Sequence, residues 1–211
     1  MYKNIKNIIF DYGNVIFYID FNKVANAWKQ LGITNAHEFY GHRQQDDVFN
    51  ALECGQITPE AFRNRIRELI HKPELTDEQI DGAWNAIFVG IPQGNHELLE
   101  KVKGQYRTFL LSNINAIHFD YVHKYLKEDF GMDNNDNLFE KVYYSFEMGM
   151  RKPDPQIFSY ILNKHDLSPK RTLFIDDKKE NTDAAAALGI NVWNLQVGKE
   201  DVVELFEKKI I

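Results

Sequence analysis

Cysteine is nearly missing from this chain: Cys54 stands alone in 211 residues. One thiol rules out an internal disulfide and a cysteine-built metal cluster, and it fits a reducing compartment. The residue itself is expected to be a buried bystander. Long apolar runs are missing as well, since no stretch approaches the roughly 20 residues that cross a bilayer. The first residues, Met1-Tyr2-Lys3-Asn4-Ile5-Lys6, lead into an apolar strand without a leader-like region. A cytoplasmic protein with no membrane partner is therefore expected. There is no basic excess: 25 Lys and Arg against 31 Asp and Glu give a net charge of −6. No face is left to neutralise a row of phosphates, so nucleic acid is not expected as a partner. Repeats and low-complexity tracts are absent. What is present is 44% hydrophobic residues, enough for one domain of moderate size or a core domain carrying an insertion.

The stretch that organises the rest is Asn7-Ile8-Ile9-Phe10-Asp11-Tyr12-Gly13-Asn14-Val15-Ile16, an apolar run that stops at a carboxylate and enters a Gly/Asn turn. A short apolar run is how a strand buried on both faces of a parallel sheet reads, and ligands gather beyond the carboxyl ends of such strands. The pattern recurs from residue 91 onward. Thr108-Phe109-Leu110-Leu111 runs into Ser112-Asn113 and a helix from about Ala116 to Lys127. Val142-Tyr143-Tyr144 leads to a loop and a helix after Pro155. Arg171 to Ile175 leads to Asp176-Asp177 and an Ala-rich helix, and Asn191-Val192-Trp193 to the last one. Alternation at this spacing predicts an α/β fold with a Rossmann-like parallel sheet covered by helices on both faces. Between Phe21 and about Val89 the apolar residues fall instead at three- and four-residue spacing, with helix starts at Thr58-Pro59-Glu60 and, as a capping box, at Thr76 to Gln79. No strand is evident there. The expected organisation is a core of residues 1–16 and 91–211 and an inserted α-helical cap of residues 17–90, lying over the strand ends as a lid.

Each polar residue of interest follows a strand: Asp11, Ser112 with Asn113, Lys152, and Asp176 with Asp177. Singly each could cap a turn or a helix; four strand ends meeting at one sheet edge make a site. The chemistry that fits is attack by a carboxylate on a phosphate. The two repel, so positive charge must lie between them. Mg²⁺ held by Asp11 and one or both of Asp176 and Asp177 would supply it. Lys152 would keep Asp11 ionised and contact the transferring group. Ser112 and Asn113 would donate to phosphate oxygens, helped by N–H groups at the following helix start, and Asn181 would orient an acidic ligand. In the cap, His42, Arg43, Gln44, Gln45 and Glu53 are polar groups that could face the site, although solvated helix positions are the better reading for most. Trp28 and Trp84 read as cap core. None of the seven histidines has ligand spacing tied to a strand end.

With these residues in place, the chain resembles the haloacid dehalogenase superfamily, in the branch whose helical cap follows the first strand. Phe10-Asp11-Tyr12-Gly13-Asn14-Val15 is similar to its nucleophile motif, Leu110-Leu111-Ser112-Asn113 to its second motif, Met150-Arg151-Lys152-Pro153-Asp154 to its lysine motif, and Phe174 to Asn181 to its acidic motif. The resemblance covers essentially the whole chain and is closest to the sugar-phosphate phosphatases acting on glucose 1-phosphate. It implies Mg²⁺-dependent hydrolysis of a small phosphorylated metabolite through an aspartyl-phosphate on Asp11, by a monomer or a homodimer. One departure stands out: the family's phosphatases usually carry a second Asp two residues after the nucleophile, and here that residue is Gly13. Its backbone carbonyl can still reach the metal, but the usual proton carrier, worth about two to four orders of magnitude in rate, is absent. Asp20, a cap acid or a substrate group would replace it. The absence also keeps open a 2-haloacid dehalogenase, whose halide leaves without a proton, and a non-catalytic phospholigand-binding protein.

Overall fold

The computed structural model describes residues 2, 4–33 and 47–207. His37, His42, Arg43, Gln44 and Gln45 lie outside the described residues. Five parallel strands form one sheet in the order β5-β4-β1-β6-β7: β1 is Asn7–Phe10, β4 Arg107–Ser112, β5 Lys141–Tyr144, β6 Thr172–Asp176 and β7 Asn191–Asn194. The expected α/β sheet is the observed one. β1 lies at its centre, with Phe10 paired to Leu110 on one side and Ile175 on the other. All four β1 residues are buried, which is why the run shows no polar alternation. Successive side chains go to opposite faces. Ile8, Phe10, Leu110 and Ile175 pack against the helices Asn95–Lys103 and Ala116–Phe130 through Leu98, Leu99, Val122 and Leu126. Ile9, Phe109, Leu111 and Phe174 pack against the helices Pro155–Lys164 and Lys179–Ala187 through Ile157, Phe158, Ile161 and Ala185.

Between β1 and residue 95 the chain forms helices Phe21–Gln30, Asp47–Glu53, Pro59–Leu69 and Asp77–Asn85. Thr58 caps one by accepting from the Ala61 N–H at 3.1 Å, and Thr76 with Gln79 closes the capping box on another. Their apolar faces meet in a cluster of Val24, Trp28, Phe49, Leu52, Phe62, Ile66, Ile80 and Trp84. Both tryptophans lie in that cluster.

Two expectations need correction. The block is not wholly helical at its ends: β2, Tyr18–Ile19, and β3, Phe88–Gly90, pair antiparallel, Ile19 opposite Phe88. Segments of two and three residues are too short to show a period of two, and each becomes a strand only by finding the other. Cys54 is half-buried rather than buried. Among the described residues no helix is long and apolar enough to cross a membrane.

Candidate active site

Asp11 sits one residue past β1, where its N–H still bonds the Ile175 carbonyl at 2.9 Å. The chain then turns at once: Ile16 and Phe17 N–H both return to the Tyr12 carbonyl, and Asn14 takes a left-handed φ of 58°. Asn tolerates that conformation better than most residues. Its side chain is used twice. Nδ2 donates to Asp177 Oδ2 at 2.9 Å, and Oδ1 accepts from the Ile19 N–H at 3.1 Å. Asn14 thus ties the acidic pair to the strand that leads into the helical block.

Lys152 is buried, and its Nζ donates to Asp11 Oδ1 at 2.6 Å and to Asp176 Oδ2 at 2.8 Å. Its backbone is gripped by the Asn113 amide, which donates to the Lys152 carbonyl and accepts from the Lys152 N–H, both at 2.9 Å. The Asn113 side chain, expected to donate to a phosphate, also holds the lysine loop, which uses its oxygen and one of its two N–H groups. The Ile114 N–H at the following turn is likewise taken, by Ser145 Oγ at 3.0 Å. Ser112 is buried at the end of β4 and lines the cavity described below.

Asp176 is held by four donor contacts. Asn181 Nδ2 lies 3.0 Å from each of its oxygens, the Lys178 N–H donates to Oδ1 at 2.8 Å, and Lys152 completes the set. Asp11, Asp176 and Asp177 each offer a carboxylate oxygen, and those oxygens lie within 4.8 Å of one another. Burial pushes Asp11 up to about 7, with Asp176 adding to the rise and Lys152 opposing it. Burial also raises Asp177. Three acids against one ammonium leave an excess of negative charge in a nearly dry site, which is costly unless a cation is present. The donor set suits one: all oxygen, and a spread close to the ~4.2 Å that separates opposite ligands at 2.1 Å from Mg²⁺.

Gly13 and Asp20 answer the question of the missing acid in part. A Cβ on Gly13 would meet Ile19 Cδ1 at 3.1 Å, so the β2 side chain fills the space beside it. Asp20 Oδ1 accepts from the Asn22 N–H at 2.8 Å and caps the Phe21–Gln30 helix. It is not among the residues lining the cavity.

That cavity lies between the helical block and the sheet edge. Tyr12, Gly13, Ser112, Asn113 and Ile114 line it from the sheet side, Ile19, Phe21, Glu53, Ile87 and Phe88 from the helical side, and Arg151, Lys178 and His118 complete the wall. Glu53 does face it. Arg151, next to Lys152 in the chain, lies 3.0 Å from Glu53 Oε2 and donates to Asn50 Oδ1. His118 stacks on Trp84 with ring centroids 4.8 Å apart, its Nε2 lying 3.2 Å from the Trp84 carbonyl and its Nδ1 3.1 Å from the Asn115 amide. Burial lowers it to about 3, so it is a neutral packing group that anchors the block to the Ala116–Phe130 helix. Asn14, Arg151 and His118 were not legible as site-building residues. The only signal for Asn14 was an Asn after Gly in a turn, and Arg151 carried none beyond standing beside Lys152.

The profile of the haloacid dehalogenase-like hydrolase family matches residues 5–189. D-ribitol-5-phosphate phosphatase of Bacteroides thetaiotaomicron is 30% identical over 93% of this chain and 94% of its own length. Sesquiterpene phosphatase of Aspergillus oryzae is 28% identical over 88% of this chain and 87% of its own. Among solved structures, a HAD family enzyme of B. thetaiotaomicron in complex with magnesium and inorganic phosphate superposes with a TM-score of 0.86 at 39% identity, covering 96% of this chain and 99% of that one.

Proposed function

The chain belongs to the haloacid dehalogenase-like hydrolase family, and from that membership we propose a magnesium-dependent phosphatase that hydrolyses a small sugar or polyol phosphate through Asp11. The observation that carries the reading is the buried Lys152 ammonium, 2.6 Å from Asp11 and 2.8 Å from Asp176, at a sheet edge that also holds Asp177. Such a cluster is expensive to keep together unless a cation and an anionic substrate use it. The same charge argument disfavours a haloacid dehalogenase, whose reaction needs no metal.

Asp11, the Gly13 carbonyl, Asp176 and Asp177 are the groups that would hold magnesium. Its charge offsets the repulsion between a carboxylate and a phosphate dianion. Lys152 opposes the upward pull on Asp11 and keeps it in the attacking form. Asp11 then attacks phosphorus as the P–O ester bond breaks, and the departing oxygen takes its proton from water, since Gly13 carries no acid; a second water cleaves the aspartyl-phosphate to phosphate and returns the carboxylate. Ser112 donates to the phosphate, while Asn113 positions Lys152 and Asn181 positions Asp176. The cavity holds ≈ 90 Å³, well below the roughly 300 Å³ at which ligand sites begin, so residues 17–90 act as a cap that opens to admit substrate. Its hinges lie at Phe17 to Asp20 and Val89 to Gly94, segments that include β2 and the end of β3. A reducing cytoplasm suits the lone half-buried thiol.

The test is phosphate release from D-ribitol 5-phosphate, sugar 1- and 6-phosphates including glucose 1-phosphate, and p-nitrophenyl phosphate, with Mg²⁺ or EDTA. Release that needs Mg²⁺ and falls to background in Asp11→Asn is expected. Turnover retained in that variant, or in EDTA, overturns the reading.

A further inference from the structure

We propose that Glu53, held in place by Arg151, is the specificity-determining residue that selects a polyhydroxylated leaving group. The inference rests on the phosphatase reading and extends it to the cap side of the cavity. Glu53 is the one carboxylate among the described residues that line the cavity. It belongs to the Asp47–Glu53 helix, and its side chain is 14% exposed against 24% for Arg151. The phosphate end of a substrate needs donors, and Ser112 lines the cavity on the sheet side, next to the strand ends that carry Asp11 and Lys152. A carboxylate only accepts hydrogen bonds, so Glu53 has nothing to offer the phosphate. Its ligand must be a donor on the leaving group, which for a sugar or polyol phosphate is a hydroxyl.

The pairing with Arg151 explains how a carboxylate can stand near an incoming dianion. The guanidinium offsets its charge, and Arg151 is itself fixed by Asn50 on the same helix. The apolar wall of Ile19, Phe21, Ile87 and Phe88 covers carbon atoms of the chain. A hydrocarbon leaving group would press against the Glu53–Arg151 pair without adding a hydrogen bond to it and would strip it of water, whereas hydroxyls replace that water. The terpenoid-type substrate named for one relative is therefore disfavoured here. Because Arg151 adjoins Lys152, correct seating of the cap is also felt at the loop that carries the reactive ammonium.

The experiment compares D-ribitol 5-phosphate with n-pentyl phosphate in the wild type and in Glu53→Gln, with folding checked by thermal melting. Both leaving groups are five-carbon primary alkoxides that need the same proton, and they differ in their hydroxyls. Wild type is expected to favour the polyol ester by about 100-fold or more in kcat/KM, as a site built to bind hydroxyls does. Glu53→Gln should lower kcat/KM for ribitol 5-phosphate by about tenfold or more, mostly through KM, and leave pentyl phosphate within about threefold. An equal loss on both esters would assign Glu53 to proton transfer and overturn the proposal, as would no change on either. A wild type inactive on both esters and on p-nitrophenyl phosphate would instead overturn the phosphatase reading beneath it.

Discussion

The sheet edge and the helical block face each other across one cavity, but they are built by opposite rules. At the sheet edge, Asp11, Lys152 and Asp176 are buried charges locked by short hydrogen bonds and by the residues around them. Asn113, Asn14 and Asn181 each hold one of those groups or its loop. The helical block is held mainly by apolar packing, through Trp28, Phe49, Phe62 and Trp84, and reaches the site with few polar groups. The difference teaches where each job belongs. Bond-making needs charges fixed within fractions of an ångström, which adjacent strand ends provide. The cavity wall on the helical side is made instead by side chains of a block with an apolar core of its own.

The sheet edge is most vulnerable at Lys152. Replacing it by Met leaves Asp11 and Asp176 buried without their cation, and removing one partner of a buried pair costs about 3–5 kcal/mol. Urea unfolding of Lys152→Met in EDTA is expected to show a loss of that size, with phosphate release at background and part of the stability regained on adding Mg²⁺. A stability equal to wild type would mean that the sheet edge is not the charged lock described here.

His118 sharpens the contrast from the other side, because it joins the two regions without charge. Its native pKa of about 3 lies far below its unfolded value, so between about pH 6.5 and 3 the unfolded state binds more protons. The contribution is complete above pH 6.5 and is lost as pH falls, by at most about 1.4 kcal/mol for each pH unit. Denaturation measured at pH 7 and pH 5 should show wild type losing more stability toward acid than His118→Gln by up to that slope, the raised Asp11 acting in the opposite direction in both proteins. Identical slopes would remove the histidine from the anchor.

The smallest effect belongs to the periphery of the helical block. Thr76→Ala removes the oxygen that accepts from the Gln79 N–H at 3.3 Å and should cost about 1 kcal/mol in thermal or urea unfolding. Turnover should be unchanged, since no cavity residue lies in that turn.

The sheet was legible because buried parallel strands announce themselves as unbroken apolar runs, and the polar residues that end them then fall on one edge by topology. Asp11, Ser112, Lys152, Asp176 and Asp177 were readable in that way. The second task of Asn113 was not legible, since its partner is the backbone of a residue 39 positions later. Asp20 is the nearest acid downstream, and the helix that starts beside it takes one of its two oxygens as a cap.

The sequence by itself therefore determined the alternation of strands and helices, the helical insertion and the set of charged groups at the sheet edge. These follow from local periodicity and from which residues can end a buried strand. Only the tertiary structure decided that β2 pairs with β3, that Asn14 bonds Asp177 across 163 positions, that Ile19 occupies the space beside Gly13, and that Glu53 meets Arg151. Those contacts join residues far apart in the chain, and no local pattern encodes which distant side chain will fill a given space or answer a given charge.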